Sequence, residues 1–276
     1  MSLSVACVQM NSSGDIHANI AKIGAMVADA AKRGAQLVAL PENCFIMEEP
    51  GQGAARVLYT QMEHPGLAAA INMAKNHRVW LLIGSMAVKV DGSHKTVNRS
   101  LLIGDSGQIV HSYDKIHLFD VELPGGEKYM ESAKMLPGSH AVLADTPWAK
   151  LGMTVCYDVR FPHLYRTLAQ AGAEVLAVPA AFTYVTGEAH WHVLLRARAI
   201  ENGCFVIAPA QVGTHPGNRN TYGHALIVDP WGKVLADAGS EESVIIAKID
   251  MQQVQQIRSR IPSLKHDRPF ELAQEN

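Results

Sequence analysis

The strongest constraint on this chain is that it contains an imperfect copy of itself. Gly34-Ala35-Gln36-Leu37-Val38-Ala39-Leu40-Pro41-Glu42 and Gly172-Ala173-Glu174-Val175-Leu176-Ala177-Val178-Pro179-Ala180 agree in pattern at every position but the last. Each begins with a glycine suited to ending a helix, runs through the short apolar stretch of a buried strand, and stops at proline. Ahead of the first copy, Ile20, Ile23, Val27, Ala30 and Ala31 recur at helical spacing through residues 18–33. A second echo pairs Leu102-Ile103-Gly104-Asp105-Ser106-Gly107-Gln108-Ile109-Val110 with Leu226-Ile227-Val228-Asp229-Pro230-Trp231-Gly232-Lys233-Val234-Leu235. Both read as a strand, an Asp-to-Gly turn and a returning strand, hence as hairpins. Two echoes in the same order predict an α/β fold of two pseudo-symmetric halves. Each of its pseudo-symmetric halves is a mixed sheet with helices on one face, and the sheets pack face to face.

No linker rich in Pro, Gly or Ser separates the halves of the 276-residue chain. A single domain over residues 1–276 is expected, with its core at about 3–250 and a mostly polar tail over 251–276 that is available to a subunit interface or free to fray. A hydrophobic content of 48% with 18% charged residues suits a globular protein, and a formal net charge of −2 gives no electrostatic case for nucleic acid or an anionic membrane. Small molecules are the expected partners. No apolar run approaches the roughly 18 residues of a membrane helix, and the N-terminus starts at once with strand-like alternation rather than a basic leader. The cysteines at 7, 44, 156 and 204 are scattered, without a C-x-x-C pair or zinc spacing. Reduced thiols and a cytoplasmic location are expected.

The repeat also exposes what the scaffold does not need. The second copy ends Val178-Pro179-Ala180, so Glu42 is an addition to the first. A carboxylate just past a buried strand is costly unless solvated or given a task. Cys156 follows the strand-like run Leu151-Gly152-Met153-Thr154-Val155 and precedes Asp158 and Pro162, which signal a turn into a helix. Free backbone N–H groups and a helix N-terminus would there favour thiolate and could hold an oxyanion; the plainer alternative is a small core hydrophobe. Lys115 is a single cation in the strand-like stretch Tyr113-Asp114-Lys115-Ile116-His117-Leu118, either snorkelling or catalytic. Glu131 shares its loop with Glu122 and Glu127, and nothing local distinguishes it. Chemically, Glu, Lys and Cys form a coherent set of base, oxyanion cation and nucleophile. With 13 histidines in the chain, a Cys–His pair is the alternative.

Leu40-Pro41-Glu42, Tyr113-Asp114-Lys115-Ile116-His117-Leu118 and Cys156-Tyr157-Asp158-Val159-Arg160-Phe161-Pro162 resemble, in order, the three signatures of the nitrilase, or carbon–nitrogen hydrolase, superfamily. The resemblance implies the α-β-β-α sandwich, association into a homodimer or higher homo-oligomer, and no metal or organic cofactor. It implies Glu42 as general base, Lys115 as oxyanion stabiliser and Cys156 as nucleophile. By position, the family's second glutamate falls on Glu131. The backbone N–H of Tyr157 joins Lys115 at the oxyanion.

Residues 182–202, with Ala210-Gln211-Val212-Gly213-Thr214-His215 and the stretch from Thr221 to Gly232, most resemble the Nit1-like branch of the superfamily. Its members cleave the amide of deaminated glutathione, through a thioester with expected release of ammonia. The same resemblance admits an ω-amidase acting on α-ketoglutaramate or an N-carbamoyl amide hydrolase, and a catalytically silent scaffold is the non-enzymatic alternative. The substrate carboxylate needs a cation beyond Lys115. Arg160, four positions after the nucleophile, and Arg219, in the polar loop 214–220, are the candidates. The loop 45–60, with Glu48, Glu49, Gly51 and Gly53, is expected at the pocket entrance. In the helix around His190 and His192, Val193, Leu194, Ala197 and Ile200 are expected inward. Arg196 and Arg198 are left for ion pairs or an interface, and a metal at the histidines is the lesser reading.

Overall fold

The computed structural model describes residues 1–47, 58–123 and 126–273, so that Glu48, Glu49, Gly51 and Gly53 fall outside the described residues. The first half holds strands β1 (Ser2–Met10), β2 (Leu37–Ala39), β3 (Trp80–Lys89), β4 (Thr96–Ile103) and β5 (Ile109–Asp114), with helices α1 (Ile16–Lys32) and α2 (Pro65–His77). A small hairpin of β6 (Asp120–Glu122) and β7 (Lys128–Met130) leads into the second half. There β8 (Val142–Asp145), β9 (Lys150–Met153), β10 (Val175–Ala177) and β11 (Phe205–Ala208) surround helices α3 (Pro162–Gln170) and α4 (Tyr184–Asn202). The chain continues as β12 (Ala210–His215), β13 (Arg219–Tyr222), β14 (Leu226–Val228), β15 (Val234–Asp237) and β16 (Ser243–Asp250), and then helix α5 (Gln252–Arg260).

Both repeats are realised in three dimensions. One sheet contains the order β1-β2-β3-β4-β5 and the other β9-β10-β11-β14-β15. In each, the first three strands are parallel and the last two form an antiparallel hairpin. The duplicated apolar runs are therefore the same central strand, β2 and β10. Gly107 and Gly232 take φ of 81° and 86° in the equivalent turns, a conformation that costs glycine nothing.

Alternation explains the layers. In β1, Ala6, Val8 and Met10 pack with Ile23, Val27, Leu67 and Ala70 of the helices, whereas Val5 and Cys7 face the cluster shared with the second sheet. The Cys7 thiol touches the Leu226 carbonyl across that interface at 3.9 Å. The halves are not separate in sequence, however. The β12–β13 hairpin and β16 cross over to pair with β1, enlarging the first sheet to eight strands.

The expectation for α4 needs correction. Trp191, Leu195 and Ala199 face the core, while Val193 and Ile200 are 67% and 52% exposed. Hydrophobic residues lie on both sides of this helix, so periodicity alone could not choose its inward face. Arg198 is buried, donating to the Val159 carbonyl and to Glu201, and Arg196 donates to the Gly232 carbonyl.

Candidate active site

The two central strands end side by side, and their ends build the site. After β2 the chain runs Pro41-Glu42; after β10 it runs Pro179-Ala180-Ala181. The Ala181 N–H donates to Glu42 Oε2 at 2.8 Å, and the Cys156 N–H donates to the Pro179 carbonyl at 2.9 Å. The position that distinguishes the two copies is thus where a carboxylate of one half meets the backbone of the other.

Cys156 opens a short 3-10 turn, Cys156–Arg160, directly after β9, and adopts φ of 50°, in the left-handed region that a non-glycine residue enters only under constraint. Asp158 supplies the constraint. Fully buried, it accepts from the N–H groups of Val155 and His117 and from the Tyr113 hydroxyl, and pairs with His117 Nδ1 at 2.7 Å. It thereby ties the lysine segment to the cysteine turn. Tyr157, in the first turn, has an N–H with no acceptor inside the turn.

Lys115 follows β5, its backbone N–H bonded to the Asn98 carbonyl at 2.9 Å, and only 2% of the residue is exposed. The snorkelling alternative is therefore set aside. Its Nζ lies 3.0 Å from Glu42 Oε1, and 3.1 and 2.8 Å from the two carboxylate oxygens of Glu131. Glu131 also accepts the Phe119 N–H at 2.7 Å. Its loop neighbours turn elsewhere: Glu122 pairs with Lys128 at the surface, and Glu127 accepts from the Tyr129 hydroxyl. Asn98 Nδ2, which sequence reasoning missed, donates to Glu42 Oε1 at 2.9 Å and approaches Glu131 Oε1 at 3.3 Å. Gln211 Nε2 holds the Glu42 carbonyl. Neither residue carries a local signal, because both act across strands.

The electrostatics follow from burial and charge. Burial is the largest influence on Glu42 and pushes its carboxyl up. The Lys115 charge, the neighbouring Cys156 thiol, the Lys115 hydrogen bond and the Arg219 charge together outweigh it, holding the group below the ordinary glutamate value. Burial likewise disfavours charged Lys115, but Glu131 and Glu42 prevail and hold it firmly protonated. For Cys156, burial and then the Glu42 carboxylate raise the thiol well above its usual value despite Lys115. This corrects the expectation of a resting thiolate. Helix α3 starts only at Pro162, and the Glu42 charge acts on the thiol more strongly than that of Lys115. At rest the set is carboxylate, ammonium and thiol.

These groups lie in a pocket of about 410 Å³, within the usual range for small-molecule sites. Phe45, Met47, Met86, Phe119, Tyr129 and Phe182 contribute apolar wall, and Lys128, Lys134 and Arg219 add cations beyond Lys115. The two candidate arginines part here. Arg219 lines the pocket from the start of β13, in a hairpin rather than the loop expected. It donates to the Ala181 carbonyl at 3.0 Å, and its buried Nε has no partner among the described residues. Arg160 does not line the pocket. Its guanidinium carbon lies 5.3 Å from the Phe182 ring centroid and 5.9 Å from that of Tyr157, with both Nη atoms 3.3 Å from His190 Nδ1. The histidine pair diverges as alternate helical residues do. His192 meets His224 and Asp237 outside the pocket, three ligating groups within 4.8 Å of one another that could hold a divalent cation and meanwhile satisfy one another by hydrogen bonds.

Residues 4–259 match the carbon–nitrogen hydrolase family. A deaminated glutathione amidase from Synechocystis sp. is 44% identical over 266 residues, covering 95% of this chain and 96% of that protein. The deaminated glutathione amidase of Homo sapiens is 40% identical over 272 residues, covering 96% of this chain and 82% of that one. Among solved structures, the C. elegans NitFhit protein matches with a TM-score of 0.88 at 35% identity, over 97% of this chain but 65% of that longer one. The sandwich, the three signatures and these relatives agree: the chain belongs to the carbon–nitrogen hydrolase family and is an amide-hydrolysing enzyme.

Proposed function

We propose that this enzyme is a deaminated glutathione amidase working through a thioester on Cys156. The observation that carries the chemical part is the convergence of a buried carboxylate, ammonium and thiol at one end of a pocket. The substrate part rests on relatives of 40–44% identity that bear this name over nearly the whole chain.

Glu42 takes the Cys156 proton as Sγ attacks the amide carbon, so the thiolate forms only as it reacts. Lys115 and the Tyr157 N–H stabilise the tetrahedral oxyanion. Glu131 holds the ammonium in place. Collapse of the intermediate breaks the C–N bond, and protonated Glu42 delivers its proton to the leaving nitrogen. Water then gives a proton to Glu42 as it adds to the thioester carbon; collapse breaks the C–S bond, and Glu42 returns that proton to the Cys156 sulfur, freeing the acid and the thiol. In deaminated glutathione the scissile nitrogen belongs to cysteine, so the leaving group is cysteinylglycine. The ammonia expected from the sequence is the product of primary amides such as α-ketoglutaramate. Arg219, which lines the pocket, is the cation for a substrate carboxylate, and Arg160 supports the wall formed by Tyr157 and Phe182.

The test compares deaminated glutathione, α-ketoglutaramate, N-carbamoyl-β-alanine and a simple nitrile, measuring both released amine and ammonia. Highest kcat/KM on deaminated glutathione, abolished by Cys156→Ala with the melting temperature held within a few degrees, is expected. Preference for α-ketoglutaramate would overturn the substrate and leave the residue roles standing; turnover by the Cys156→Ala protein would overturn the roles.

We also infer a cytoplasmic homo-oligomer. No helix among the described residues is long and apolar enough to cross a membrane. The exposed Val193, Ile200 and Trp231 support self-association, and a light-scattering mass of one chain, 29.9 kDa, would contradict it.

A further inference from the structure

We infer that Asn98 is a positioning residue that sets the protonation of the catalytic base, an inference resting on the proposed role of Glu42. The carboxylates of Glu42 and Glu131 share a single ammonium, Lys115. Asn98 is the second donor to the same two oxygens, at 2.9 Å from Glu42 Oε1 and 3.3 Å from Glu131 Oε1. Its position is fixed by the backbone, since the Asn98 carbonyl accepts the Lys115 N–H. One β-type bond therefore sets the cation and the amide side by side against both acids.

The orientation of the amide is unambiguous. Turning it over would put Oδ1 against two carboxylates, and Asn98 Oδ1 is already buried without a partner among the described residues. An unpaired buried acceptor is costly. The fold bears that cost while aiming both N–H bonds at carboxylate oxygens, beside the one lysine that the two acids share. Around Glu42 the charged and titratable groups are Lys115, Cys156, Glu131 and Arg219. Of the side-chain donors, Asn98 alone is neutral at every pH, so it favours the ionised base without competing for its proton.

Removing this donor raises the proton affinity of Glu42. The sign is fixed: ionised Glu42 is the active form, so the acid limb of activity moves to higher pH. Asn98→Ala and the closer-shaped Asn98→Leu are each measured in two ways. One is the pH profile of kcat/KM on deaminated glutathione; the other is the pH profile of Cys156 alkylation by chloroacetamide, which needs no substrate assignment. The expected result is an acid limb moved up by about one pH unit, a tenfold change in proton affinity, in both readouts and both variants. The melting temperature need not follow it. A purely structural asparagine would lower stability and rate together and leave the limb in place; an unmoved limb overturns the inference. If Cys156 of the unaltered enzyme alkylates no faster than that of Glu42→Gln, the underlying role of Glu42 fails instead, and this inference falls with it.

Discussion

Lys115 decides the character of the site because one largely buried ammonium faces two acids. Replacing it with Met removes the proposed oxyanion cation and also leaves the Glu42 and Glu131 charges without their ammonium partner. Removing one partner of a buried charge pair typically costs about 3–5 kcal/mol, which for a domain of this size is a fall of about 10 °C in melting temperature. Turnover of Lys115→Met should drop at least about 100-fold. Adding Glu42→Gln should recover part of the stability and none of the activity, since it removes one of the stranded anions. Calorimetry and kcat on both proteins check this, and a double variant less stable than the single one would contradict it. At this scale legibility followed distance in sequence. Glu42 was readable because its repeat partner is alanine, and Cys156 because a strand ends beside it. Glu131 was not separable from Glu122 and Glu127 without the fold, since what selects it is a lysine 16 positions away brought within 2.8 Å. Asn98 left no trace, because a polar residue alternating along a strand looks the same whether it meets solvent or a carboxylate.

Among the elements, β3 shows how the scaffold delivers Glu42. At Gly84 an added Cβ would lie 2.1 Å from the Leu40 carbonyl oxygen and 2.3 Å from that of Pro41, the two residues immediately before Glu42. Those atoms are backbone and cannot swing aside, so any side chain there must push the end of β2 away. Gly84→Ala should move the carboxylate relative to Cys156 and cut kcat by about 100-fold, the cost associated with a displacement of about 1 Å. Cys156 itself stays in the turn that follows β9, at the end of the other sheet. Steady-state kinetics with a circular dichroism check would show the effect, and near-normal kcat would mean that the strand end is not held as tightly as the contact distance says. The duplicated strands and hairpins were legible because each is a local pattern, apolar run plus turn residue. The inward face of α4 was not, since Val193 and Ile200 are as hydrophobic as Leu195. Nor was the crossing of β12–β13 into the first sheet, which places Arg219 in the pocket; only the tertiary pairing with β1 decides it.

The molecule as a whole uses its two halves as two jaws of one site. Glu42, Asn98 and Lys115 belong to the first sheet or its strand ends, Cys156 and Ala181 to the second, and the packing that buries Val5 and Cys7 against the other sheet also dehydrates the charges. Global stability and protonation of Glu42, the proposed base, are therefore linked. Glu42 is held below the ordinary glutamate value of about 4.3, so its ionised contacts stabilise the fold above that pH and are lost as pH falls through the lower folded value. Melting temperatures of the unaltered enzyme and of Glu42→Gln, followed from pH 7 to pH 3, should differ by a gap that is constant near neutrality. Below about pH 4.3 the gap should change, with the unaltered enzyme losing ground to the variant. The direction is specific. A base whose burial outweighed its partners would have a raised value, and the unaltered enzyme would instead gain on the variant as pH fell from neutrality toward 4. A gap that stays level to pH 3 would mean that the meeting of the two sheets leaves Glu42 as free to titrate as in an unfolded chain, which the hydrogen bonds from Asn98, Lys115 and Ala181 argue against.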